Sequence, residues 1–118
     1  MPSKYQHIDL AYLEDISSGD IETKKQLIAL FLEQMEDVKS GFTSALACND
    51  TDEMRKIAHL AKSSTKIMGI SDLSAKMQEF EQSLKTNAEK TDCRYYTQYF
   101  FDHIGGAIEE INIEMAAW

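Results

Sequence analysis

A single proline constrains this chain most. It is Pro2, so from residue 3 onward no ring removes a backbone donor and nothing of that kind breaks a helix. The apolar residues then take helical spacing. Ile21, Ile28, Phe31, Met35, Val38, Phe42 and Leu46 stand three, four or seven positions apart, which predicts one long amphipathic helix. Asp20, after the Ser18-Gly19 break, is a good N-cap for it. A short helix over Asp9–Ser17 precedes it, with Leu10, Leu13 and Ile16 on one face.

The next helix is expected from about Glu53 to Met68, with Gly69 as its C′ residue. Ser71 or Asp72 is expected to cap a fourth, carrying Leu73, Met77, Phe80 and Leu84 inward. A turn over 87–91 leads to a fifth, with Tyr96, Phe100, Ile104, Ala107, Ile108, Ile111 and Met115 inward. No useful stretch alternates with period two. The expectation is an all-α fold: an antiparallel up-down-up-down four-helix bundle with a short N-terminal helix. Gly105-Gly106 lies inside the last helix, where each glycine costs about 1 kcal/mol relative to alanine. Close packing against a neighbour is the expected reason.

The 118 residues predict one domain over 1–118, long enough to bury a core without staples. A net charge of −8 argues against nucleic acid or anionic lipid as a partner for the whole surface. No apolar run spans a membrane, and the N-terminus lacks a secretory signal, so a cytoplasmic protein is expected. Cys48 and Cys93 are read as reduced thiols, with neither a disulfide framework nor a zinc site. Met1 and Trp118 favour a complete small protein, and a monomer is expected.

Met54–Ile70 holds Arg55, Lys56, Lys62 and Lys66 and no acid, so it is +4 while the rest of the chain is −12. At ~100° per residue, Ile57, Ala58, Ala61, Ser64, Thr65 and Met68 form the inward stripe. His59 falls nearly opposite, beside Arg55, Lys62 and Lys66, with small Ser63 flanking it. A core histidine is the ordinary reading of a single imidazole, and the helical phase argues against it here. A neutral imidazole is a nucleophile that forms covalent intermediates. Its ordinary pKa of about 6.5 leaves a useful neutral fraction, and nearby cations favour that form. The same cations suit a transferring phosphoryl group. Phosphoryl acceptance on His59 is therefore the leading chemistry.

The stretch Ile57-Ala58-His59-Leu60-Ala61-Lys62-Ser63-Ser64, with Gly69 ten residues after the histidine, resembles the signature of histidine-containing phosphotransfer (HPt) domains, AH-x-L-K-G-S-S followed by a glycine. Leu13, the Ser18-Gly19-Asp20 break and Phe31-Leu32 are similar to the family's leading segment. Leu73, Met77, Phe80 and Glu81 are similar to its L-x3-C-x2-L-E pattern. Ala61 and Ser63 stand where the family has leucine and glycine, and both keep the imidazole approachable.

The resemblance implies His59 as the phosphoacceptor, Lys62 as the basic residue near the phosphoryl group, and Gly69 as the helix terminator. It implies a phosphocarrier and not an enzyme in its own right. The implied partners are response-regulator receiver domains and a hybrid sensor histidine kinase, with Mg2+ on the receiver and no cofactor on this chain. Arg55, Ser63, Lys66 and Gln34 are expected around the phosphoryl group, Gln34 as a candidate hydrogen-bond partner of the imidazole. Leu27, Leu30, Leu60 and Ile67 are expected to form an apolar docking patch beside it.

A metal bundle needs Glu-x-x-His pairs, and neither Lys56-x-x-His59 nor Phe100-x-x-His103 supplies one. No G-x-S-x-G turn and no phosphate-binding glycine loop supports a hydrolase or a kinase. The alternative that remains is a non-catalytic helical adaptor that binds an acidic partner through the basic strip. His7 is expected in a solvated loop and His103 partly buried. Tyr95, Tyr99 and Phe101 exceed one buried stripe and are expected on the leading helix or on a second contact surface.

Overall fold

The computed structural model describes residues 5–118, and the expectations resting on Met1 and Pro2 lie outside the described residues. Five α-helices follow one another: α1 (Ala11–Ser17), α2 (Ile21–Ala47), α3 (Thr51–Ile67), α4 (Ser71–Asn87) and α5 (Cys93–Ala116), with a 3-10 turn, Ala88–Lys90, before the last. The four long helices, joined by short connections, close a bundle in which α2 packs on α3 and α5, and α4 packs on the same two. No strand occurs among the described residues.

The caps show why the helices begin and end where they do. Asp20, Asp50 and Asp92 each accept a backbone N–H three residues on, which satisfies an otherwise orphaned donor. The fourth helix departs from expectation. Its N-cap is Ile70, with no side-chain bond, and Ser71 and Asp72 lie inside the first turn. Ile70 is buried, so core packing places the helix start and leaves the Ser71 hydroxyl one position late and the Asp72 carboxylate two.

Gly69 ends α3 with a positive φ of 66°. A Cβ there would lie 2.0 Å from the backbone oxygen of Asp9, so this glycine also seats the N-terminal segment. Gly106 serves the same purpose for His7, whose ring a Cβ would approach to 2.8 Å. Gly105 has open space around it, so close packing explains one glycine of the pair and not the other.

The core follows the apolar stripes. Ile28, Phe31, Met35, Val38 and Phe42 meet Leu73, Met77, Phe80 and Leu84 from α4, and Phe100, Ile104 and Ile111 from α5. Phe42 is central, 5.9 Å from Phe80 and 5.6 Å edge-on from Phe100, centroid to centroid. Ile16 and Ile21 correct the expectation, since both are exposed. On α1 the inward places go to Leu13 and Ser17. On α2 the first inward place, four before Ile28, goes to Lys24. Its apolar stem is buried while its ammonium meets Glu14 at 2.7 Å and lies under the Trp118 ring.

Two of the surplus aromatics of α5, Tyr95 and Tyr99, lean on α4. Lys76 lies against the Tyr95 and Tyr99 rings, and Tyr99 stacks on His103 at 3.9 Å. Half-buried His103 donates from Nδ1 to the Tyr99 carbonyl. Phe101 remains partly exposed. His7 is exposed, as expected, yet its backbone N–H is held by Glu110.

Candidate functional site

The α3 stripe falls where its phase predicts. Ile57, Ala58, Ala61, Ser64, Thr65 and Met68 are buried. His59 is thereby turned outward, with 59% of its side chain exposed. Small residues at 58 and 61 bring α3 close to its neighbours, and Ser74 of α4 donates to the Lys62 carbonyl at 3.0 Å.

That close approach brings Glu81 of α4 beneath the imidazole. Its side chain is 6% exposed, and its Oε2 lies 2.8 Å from His59 Nδ1. Oε1 accepts from Lys62 Nζ at 2.8 Å, and Lys85 Nζ stands 3.4 Å from Oε2. Burial by itself pushes a carboxyl group up. The hydrogen bonds from Lys62 and His59, with the attraction of their charges, outweigh it and hold Glu81 down to about 2. An ionised carboxylate only accepts, so Nδ1 carries the proton. Nε2 of the neutral ring is then the nitrogen with a free lone pair.

Glu81 is the functional residue that the sequence reading left without a role. The available signal was an acid inside the stripe formed by Met77, Phe80 and Leu84. An acid at an inward position needs a partner on the facing helix, and α3 offers His59 and Lys62. The basic collar is correspondingly less free than its sequence suggests. Arg55 Nη2 and Lys56 Nζ both meet Asp52, at 3.1 and 3.6 Å, and Lys62 is held by Glu81. The ring therefore touches an anion directly, where the sequence placed only cations. Lys66 is exposed in the last turn of α3, and it has no carboxylate partner among the described residues. Ser63 donates to the His59 carbonyl at 3.2 Å and stays at the surface.

Gln34 is not bonded to the imidazole. Its Oε1 accepts from Ser64 Oγ at 2.6 Å, because Ser64 is buried and its hydroxyl requires a partner at that position. The structure brings Gln34 together with Leu27, Leu30 and Ile67 around a cavity of about 70 Å³ between α2 and α3. Leu60 lies outside that cavity and is 36% exposed. No group of three His, Cys, Asp or Glu side chains among the described residues is placed to hold a metal ion. No helix of the described residues is long and apolar enough to cross a membrane.

Fold and site together define a class: a helical bundle that presents one outward imidazole on a buried, ionised carboxylate. The family model for the Hpt domain matches residues 26–116, and the chain belongs to that family. Hpt domains are phosphocarrier modules, and the membership carries histidine phosphotransfer in a phosphorelay. No curated protein and no solved structure matches the chain.

Proposed function

We propose that His59 is the phosphoacceptor, taking a phosphoryl group from the aspartate of one receiver domain and passing it to another. The contact between His59 Nδ1 and Glu81 Oε2 is the observation that carries the reading. It fixes the ring, sets the tautomer and leaves Nε2 as the nucleophile. In the transfer, the Nε2 lone pair attacks phosphorus in line. The N–P bond forms, the bond from phosphorus to the aspartyl oxygen breaks, and the aspartate leaves as carboxylate. The imidazole keeps its Nδ1 proton and becomes cationic, and Glu81 stabilises that charge. Reversal of the same steps delivers the group to the next receiver.

Lys62 keeps Glu81 in place, and its charge with that of Lys66 favours the incoming dianion. Arg55 and Ser63 border the phosphoryl position. Leu27, Leu30, Leu60 and Ile67 supply the apolar docking patch. We assign the partners as receiver domains and a hybrid sensor histidine kinase, with Mg2+ carried by the receiver, no cofactor on this chain, and a monomeric, cytoplasmic carrier. The pairing of Arg55 and Lys56 with Asp52 leaves little free charge for an adaptor that works through the basic strip alone.

Incubation with phosphorylated receivers tests the proposal. It predicts an acid-labile, base-stable label on the wild-type chain that is lost in His59→Gln. A label that persists in His59→Gln contradicts it.

A further inference from the structure

Three side chains meet the carboxylate of Glu81, and they do not hold it alike. Lys62 donates to Oε1 at 2.8 Å, a charge-assisted hydrogen bond of full strength. Oε2 is shared. His59 Nδ1 lies 2.8 Å from it and Lys85 Nζ 3.4 Å, which is too long for a strong bond of that kind. Lys85 stands one turn from Glu81 on α4, with 48% of its side chain exposed, and its ammonium rides on a flexible four-carbon stem. An ion pair this open contributes little to stability, so it breaks easily.

Phosphorylation changes what each oxygen needs. With a neutral imidazole, the cluster of Glu81, Lys62 and Lys85 carries one spare positive charge. Transfer brings about two negative charges on the phosphoryl oxygens and leaves a positive ring. The cationic ring then satisfies Oε2 by itself. Departure of Lys62 strands Oε1, on a side chain only 6% exposed, with no other partner among the described residues. Departure of Lys85 strands nothing, since Oε2 stays bonded to the ring. Arg55 and Lys56 are already drawn to Asp52.

We propose that Lys85 is the exchangeable cation of the site: it rests on Glu81 while His59 is bare and moves to the phosphoryl oxygens once His59 carries the group. The proposal rests on His59 being the phosphoacceptor. Lys85 then serves retention and not attack. In a loose transition state the departing metaphosphate carries about one negative charge where the bound group carries about two, so the ammonium stabilises the phosphorylated state more than the step that ends it. The step it slows is hydrolysis. Water attacks phosphorus, the N–P bond breaks, and the cationic phosphohistidine gives neutral imidazole and dihydrogen phosphate.

Lys85→Ala and Lys85→Arg in the full chain test it. Each chain is labelled with phosphoramidate, a small donor that forms the N–P bond as ammonia leaves, or with the fastest receiver of a genome-wide panel. The donor is removed, and loss of phosphohistidine is followed by phosphorus-31 NMR at neutral pH. The expected half-life is about fivefold shorter in Lys85→Ala, the range of one exposed charge pair, and within twofold of wild type in Lys85→Arg. Labelling rates stay within twofold in all three chains. The nitrogen-15 shift of the Lys85 ammonium moves on phosphorylation, and that of Lys62 does not. An unchanged half-life in Lys85→Ala, an equal loss in Lys85→Arg, or a Lys85 resonance that phosphorylation leaves in place overturns the exchange and leaves the reading of His59 intact. A wild type labelled at His59 by neither phosphoramidate nor any receiver overturns both.

Discussion

His59 Nδ1 and Glu81 Oε2 meet at 2.8 Å across the seam between α3 and α4, one side chain mostly in solvent and the other almost wholly buried. The acid is anchored from the inside and the base faces outward. The imidazole therefore faces solvent with the nitrogen opposite Nδ1, while Nδ1 is held by the carboxylate.

Replacing Glu81 with Gln should lower phosphoryl acceptance by about tenfold or more, because the amide supports the cationic ring less well than a carboxylate does. Nitrogen-15 shifts of the imidazole should show loss of the single Nδ1–H tautomer. A variant with unchanged tautomer and rate contradicts the role assigned to Glu81.

The same carboxylate makes stability depend on pH. Glu81 is held at about 2 in the folded chain against an ordinary value of 4.5. A depressed carboxyl contributes fully above its unfolded value, and the contribution is lost as pH falls from near 4.5 through about 2. After discounting for the solvent that reaches the cluster, the loss should be about 1–2 kcal/mol. Urea unfolding of wild type and Glu81→Gln at neutral pH and at pH near 3 measures it. The wild type should lose more stability than the variant.

Lys62→Ala should leave the bundle folded and slow transfer by about tenfold, since one charge-assisted hydrogen bond to Glu81 disappears. Thermal unfolding and transfer kinetics on the same sample separate the two effects. Equal transfer rates for wild type and variant remove the electrostatic argument.

Two substitutions test the packing that positions the site. Ala61 is fully buried, so Ala61→Glu should cost more than about 3 kcal/mol through an unpaired buried carboxylate. Gly69→Ala adds a Cβ against the Asp9 backbone at a left-handed φ and should cost about 2–4 kcal/mol. Denaturant midpoints check both, and a midpoint unchanged in Ala61→Glu contradicts the helical phase that turns His59 outward.

The bundle was legible because burial and helical period coincide for Phe31, Met35, Phe80 and Phe100, and because Asp20 is a cap with a local mechanism. The outward direction of His59 was legible for the same reason, from the alanines and hydroxyls of its own helix. What could not be read depends on two helices at once. Glu81 gains its partner only when α4 lies against α3, and Gln34 turns to Ser64 because that hydroxyl is buried by a fold that no single-helix pattern encodes. Ile21 was misplaced since Lys24, with a long apolar stem and a local anion in Glu14, fills the inward position more effectively than periodicity alone suggests.

Phosphotransfer from a labelled receiver to the wild-type chain and to His59→Gln, followed by acid and base treatment, is the most direct test of the account. It predicts a base-stable, acid-labile label in the first and none in the second. A wild type that binds the phosphorylated receiver yet takes up no label, or a His59→Gln chain that takes it up equally, contradicts it.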